Sequence, residues 1–170
     1  MVSAAPFIVL IGPPGVGKSS VARAVAERTG RTLIDTDAAV EDAAGREIAD
    51  IFVVDGEPAF RALETEAVLK ALATDGTVVA LGGGAPMTHS IATALEGQRV
   101  VFLDVGIADA AKRIGLDQPR PLLAVNPRAS WIAMMKDRRP TYERLATWQI
   151  DTAGRGVEEV TDEVLRQVER

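Results

Sequence analysis

The sequence predicts an α/β domain of three layers, a five-stranded parallel sheet with helices on both faces. Three observations predict it. Short β-branched runs recur between longer amphipathic stretches, the rhythm of a parallel sheet covered by helices. A chain of 170 residues, 47% hydrophobic and 25% charged, can bury one sizeable core. The first apolar run passes straight into a glycine-rich turn and then a helical stretch, the step from which such sheets are built. One domain over residues 1–170 is the expectation.

Taken in chain order, strands are expected near Phe7–Ile11, Thr32–Asp35, Val78–Leu81, Val100–Leu103 and Trp148–Asp151. Helices are expected over Lys18–Thr29, Pro58–Ala73, Thr88–Leu95, Ile107–Ile114, Ala129–Ala146 with an interruption at Pro140, and Val157–Val168. Within Pro58–Ala73, the residues Phe60, Leu63, Ala67, Val68, Ala71 and Leu72 recur at helical spacing and mark a buried stripe, with Arg61, Glu64 and Thr65 off it. Between Gly115 and Pro127 neither period holds, because Gly115, Pro119, Pro121 and Pro127 break regular structure. That segment is expected to be a mobile lid within the domain.

Composition excludes several function classes. With no cysteine, disulfides, thiolate nucleophiles and cysteine metal sites are excluded, and a single histidine leaves oxygen donors for any metal. No apolar run approaches the roughly 20 residues that span a bilayer, and no secretory signal is visible at Met1–Pro6, so a cytoplasmic location without membrane attachment is expected. A net charge of −5 argues against general nucleic-acid binding. Between Lys112 and Arg144, however, eight basic residues face three acidic ones. Such an island suits capture of a small anion; a solvated helix face accounts for the same charges. A monomer is expected.

Directly after the first strand stands GPPGVGKS, Gly12 to Ser19, the P-loop pattern, with a helical run behind it. Its glycines turn backbone N–H groups toward phosphate oxygens, and the following helix adds its positive N-terminus. The candidate ATP contacts are therefore Gly12, Pro13, Pro14, Gly15, Val16, Gly17, Lys18, Ser19 and Ser20, with Lys18 reaching the β- and γ-phosphates and the Ser19 hydroxyl on Mg²⁺. A cradle of this kind serves switch proteins and kinases alike.

The third strand runs into Gly82, Gly83 and Gly84 without the carboxylate that often completes a magnesium site. The second strand ends in LIDTD, and in extended backbone Asp35 and Asp37 point to one side, at the sheet edge where open α/β sheets bind ligands. Asp35 is the candidate metal ligand and Asp37 the candidate proton acceptor or orienting group beside an acceptor hydroxyl. Alternatively, Asp37 caps the next helix. The three glycines allow backbone to approach a ligand closely.

GPPGVGKSS, LIDTD, GREIADIF followed by DGEPAFRALE, LGGGA, RPLL and RRPTY together resemble the shikimate kinases in order and spacing, from about Ile8 to Asp151. The resemblance implies a five-stranded P-loop fold related to nucleoside monophosphate kinases, with a lid that closes over ATP. It also implies Mg²⁺-ATP-dependent phosphorylation of the 3-hydroxyl of shikimate to shikimate 3-phosphate. It places shikimate on Asp37, Arg61, Gly82, Gly83, Gly84 and Arg138, with both arginines on the carboxylate. Arg120 matches the lid arginine that reaches the transferring phosphate, Arg113 an arginine near the nucleotide, and Arg155 the adenine loop. Lys18, Asp37 and Arg120 then form the catalytic set. Arg138 rather than Arg139 follows from counting back two positions from Pro140, and Glu64 is spaced to pair with Arg61. The sequence departs from the family at Thr141, Trp131 and the loop TAGRG. Competing expectations are a kinase for gluconate or a nucleoside monophosphate, and a nucleotide-dependent switch module.

Overall fold

The computed structural model describes residues 4–114 and 126–170. Five strands form one parallel sheet: β1 (Ile8–Ile11), β2 (Leu33–Asp35), β3 (Val78–Ala80), β4 (Val100–Asp104) and β5 (Trp148–Asp151), in the order β2-β3-β1-β4-β5. Because β1 lies between β3 and β4, the chain leaves it in one direction for β2 and returns past it for β4. The carboxyl end of β1 is thus the point where the winding reverses, the place where such sheets open a ligand crevice. In register, Val9 stands between Val79 and Val100, and Leu10 between Ala80 and Val101. All four residues of β1 are fully buried, as expected for an apolar run covered on both faces.

The helices are α1 (Lys18–Thr29), α2 (Thr36–Ala44), α3 (Ile48–Asp55), α4 (Glu57–Leu72), α5 (His89–Leu95), α6 (Ile107–Ile114), α7 (Pro127–Leu145) and α8 (Val157–Val168). α1 packs on α8; α4 packs on α5 and, with α7, on a 3₁₀ turn at Ala85–Met87. The five strands, the two helical layers and the parallel sheet are those the sequence predicts. Among the described residues, no helix is long and apolar enough to cross a membrane.

Two helices, α2 and α3, lie outside the stretches where the sequence marks a helix clearly, although a helix after Asp37 was one alternative. α2 buries only Thr36 and Val40, and α3 only Ile51, so neither carries the apolar stripe by which a helix is recognised. In α3 the β-branched Val53 and Val54 are 85% and 72% exposed. A small second core of Val40, Ile51 and Phe60 joins α2, α3 and α4. α7 begins at Pro127, not two residues later: the Asn126 side chain accepts from the Ala129 N–H, and proline occupies a first-turn position where its missing N–H costs nothing. Pro140 sits inside the same continuous helix.

Candidate active site

The site is built on the carboxyl ends of β1, β2 and β3. Gly12 follows β1 with φ +149, and a Cβ there would stand 2.3 Å from the Leu103 carbonyl oxygen, so only glycine fits. Gly17, with φ +88, turns the chain into α1. Pro14, Gly15, Gly17, Lys18, Ser19 and Ser20 line a cavity of about 500 Å³. Val16 points its side chain into the main core, and Pro13 takes part through its carbonyl.

Lys18 folds back over the loop and donates to the Gly12 and Pro13 carbonyls at 2.7 and 3.1 Å. Burial pushes its ammonium down to about 8, against the pull of Asp37 and Asp35. The Ser19 hydroxyl donates to Asp35 Oδ2 at 2.9 Å. These two hard oxygens fit Mg²⁺. Among the described residues no cluster of three acidic or histidine side chains could hold a metal, so an ion here needs phosphate and water oxygens as well.

Asp35, not Asp37, caps α2: its Oδ1 accepts from the N–H groups of Asp37 and Ala38 at 3.0 and 3.3 Å. Nor does strand alternation bring the two together, because β2 ends at Asp35 and Thr36 already belongs to α2. The helix turn delivers Asp37 to the same cavity instead. Its carboxyl is pushed up from 3.8, by burial first and then by Asp35, with Lys18 opposing.

A second cavity of about 220 Å³ adjoins the first and holds Asp37, Arg61, Glu64, Arg138 and the rings of Phe52 and Phe60. Asp37, Pro14, Gly82 and Gly83 line both. On the far side of the two arginines, a third space of about 370 Å³ opens toward Glu57 and Met87. Arg61 Nη1 donates to Glu64 at 2.8 Å. Glu64 is 1% exposed, a correction to its expected place off the buried stripe, and burial pushes its carboxyl up while Arg61 holds it down. It is buried because it faces this polar cavity and not the apolar core.

The three glycines let the functional side chains stand close to the loop. None has positive φ, but a Cβ on Gly82 would stand 2.6 Å from Asp37 Oδ1, on Gly83 3.3 Å from Arg138 Nη1, and on Gly84 2.6 Å from Arg61 Nη2. Arg138 thus joins Arg61. Arg139 turns away and grips Asp104 with both nitrogens, at 2.6 and 3.0 Å.

Arg113 lines the large cavity, donating to the Val16 carbonyl at 3.2 Å and to Thr152. Arg155 lies outside the lining: it pairs with Glu159 and Glu163 and donates to the Asp151 carbonyl. Arg120 and the expected lid, apart from Asn126 and Pro127, lie outside the described residues. Sequence reasoning passed over Trp131 and Tyr142 as site residues. The Trp131 indole N–H donates to the Pro14 carbonyl at 3.4 Å, and the Tyr142 hydroxyl to the Gly83 carbonyl at 2.6 Å. That Tyr142 is the single tyrosine of the chain was the signal available.

A phosphate cradle sharing a carboxylate with an arginine-lined cavity, at the reversal point of a parallel sheet, defines a P-loop kinase for a small anionic acceptor. A family model described as shikimate kinase matches residues 14–169. The chain is 51% identical over 166 residues to a shikimate kinase of Thermobifida fusca, covering 98% of this chain and 96% of the relative. It is 53% identical over 165 residues to one of Streptomyces coelicolor, covering 97% and 96%. The structure of shikimate kinase from Acinetobacter baumannii in complex with shikimate matches with a TM-score of 0.89 at 31% identity, over 98% of this chain and 94% of that one. A gluconokinase from Sinorhizobium meliloti shares the fold at a TM-score of 0.64 and 22% identity, over 99% of this chain and 93% of that one. The chain belongs to the shikimate kinase family.

Proposed function

We propose that this protein transfers the γ-phosphoryl group of ATP to the 3-hydroxyl of shikimate, giving shikimate 3-phosphate and ADP, as a single-domain monomer in the cytoplasm. The observation that carries this is Asp37, whose carboxyl lines both the cradle cavity and the arginine cavity. A phosphate held in the first and a hydroxyl held in the second meet at that group.

In this reading Lys18 leaves the Gly12 and Pro13 carbonyls for the β- and γ-phosphates, and the backbone N–H groups of Gly15 and Gly17 surround them. Arg61 and Arg138 take the acceptor's carboxylate, for which a guanidinium fork is matched. Glu64 holds Arg61 in place from behind. The acceptor hydroxyl oxygen forms a bond to the γ-phosphorus as the bond to the β-bridging oxygen breaks, and its proton passes to the Asp37 carboxylate. Mg²⁺, held by Ser19 and through Asp35, would neutralise charge on the phosphate oxygens. Arg113 stands beside the nucleotide space. Arg120 and Arg155 enter by family resemblance alone.

The test is ADP release from Mg²⁺-ATP by the purified protein with shikimate, gluconate or a nucleoside monophosphate as acceptor. Release dependent on shikimate is expected. Equal release with either other acceptor, or none with shikimate, would overturn the assignment.

A further inference from the structure

Arg138 and Arg139 are neighbours on α7 with opposite circumstances. Arg139 is held by Asp104 and lies near Glu143. Arg138 makes no ion pair with a carboxylate among the described residues. A long side chain without such a partner loses up to about 2 kcal/mol of rotamer freedom when a ligand fixes it. Something must hold it in advance if it is to serve as a carboxylate receptor.

One turn along the same helix stands Tyr142, fully buried, its ring 5.1 Å from that of Phe102. The ring has two torsions and is packed, so its hydroxyl is a fixed point. That hydroxyl donates to the Gly83 carbonyl at 2.6 Å; burial pushes the phenol up, and the charge of Arg138, one helical turn away, opposes it. Gly83 is the residue whose missing Cβ leaves room for Arg138 Nη1 at 3.3 Å and for the Pro14 ring at 3.4 Å. The phenol therefore holds the backbone that forms one wall of the slot in which the guanidinium sits.

We infer that Tyr142 is a positioning residue for the acceptor, pinning the Gly83 backbone against which the Arg138 guanidinium stands so that it meets a carboxylate already oriented. The inference rests on the reading of Arg138 as a carboxylate receptor. An ordinary buried tyrosine would only satisfy its hydroxyl; this one acts through the Gly83 backbone on a second side chain, and the two roles separate in a double-mutant cycle.

The experiment compares the full-length wild type, Tyr142→Phe, Arg138→Ala and the double variant, measuring kcat, the KM of shikimate and of ATP, and the melting temperature. Tyr142→Phe is expected to raise the shikimate KM about tenfold, the upper range for one hydrogen bond, with kcat and the ATP KM within about twofold. In the Arg138→Ala background the same change is expected to add nothing. An unchanged shikimate KM in Tyr142→Phe, an equal loss for ATP, or the same factor in both backgrounds would overturn the inference. If Arg138→Ala leaves the shikimate KM unchanged, the carboxylate reading itself falls, and the inference with it. Should Tyr142→Phe not fold, 3-fluorotyrosine at this single tyrosine gives one fluorine resonance in an otherwise unaltered chain. It should move on adding shikimate and stay still in Arg138→Ala; a resonance indifferent to shikimate in the wild-type background overturns the inference.

Discussion

Lys18 gives the most searching test, because the ligand-free protein carries it at a cost. Its ammonium is partly buried and has only two carbonyl oxygens as close partners, which is why its folded value lies near 8 and not 10.5. At about 1.36 kcal/mol per pH unit, that displacement corresponds to about 3.4 kcal/mol once both states have titrated. The sign follows from proton counting. Below pH 8 the lysine is charged folded and unfolded, and the folded state bears the burial. Between about 8 and 10.5 the folded state releases its proton first, so the unfolded state binds more protons and stability rises with pH. By pH 9.5 the linkage relation gives about 2 kcal/mol, trimmed by solvent contact to about 1 to 2 kcal/mol. For a chain of this size that is about 3 to 6 °C in melting temperature. The assay is thermal melting of wild type and Lys18→Met, ligand-free, at pH 7.0 and 9.5. Other ionisations are common to both proteins and cancel in the difference. The wild type should gain those degrees relative to Lys18→Met, which should also lack turnover. Parallel pH dependences would refute the reasoning, since they would show that the ammonium is not strained in the free cradle.

Three further outcomes follow from the same geometry. Asp37→Asn should lower kcat by about 10² or more, as for loss of a proton acceptor, while a titration with ADP finds nucleotide affinity unchanged. Arg138→Ala should weaken shikimate binding by about 2 to 5 kcal/mol in calorimetry, whereas Arg139→Ala, which breaks the grip on Asp104, should lower the melting temperature and leave that affinity nearly intact. Gly84→Ala places a methyl group 2.6 Å from Arg61 Nη2; it should displace that guanidinium and weaken shikimate binding at least tenfold, with ATP binding retained as judged by the same titrations.

The parts of this site that are contiguous in sequence were readable there, and the parts made by packing were not. The cradle from Gly12 to Ser20 is a local conformation, set by glycines at fixed offsets, so its string is enough. Asp35 and Asp37 were found as a pair for the wrong reason: strand alternation was assumed where a capped helix begins. Glu64 escaped because hydrophobic periodicity describes contact with an apolar core and is blind to a polar cavity that buries a carboxylate just as fully. α3 escaped because its exposed Val53 and Val54 imitate a strand. The choice between Arg138 and Arg139 could be made by counting from Pro140, but only the structure supplies the physical reason, which is that Asp104 has already taken one of them.

Burial displaces two groups of the site in opposite directions. It drives the Lys18 ammonium down and the Asp37 carboxyl up, and each group's charge opposes the other's displacement. A carboxyl raised toward the working range is a better proton acceptor than one at its ordinary value. A lysine kept short of anions is one that phosphate can satisfy. In the proposed reaction, the burial that makes the free site costly fits it to two ligands of opposite demand, a phosphate that brings charge to Lys18 and a hydroxyl that brings a proton to Asp37. The Cβ-free loop Gly82–Gly84 keeps Asp37, Arg138 and Arg61 packed around one small volume. A side chain at Gly82 or Gly84 would displace Asp37 or Arg61, and in the proposed reaction charge and proton would then no longer meet at the same oxygen.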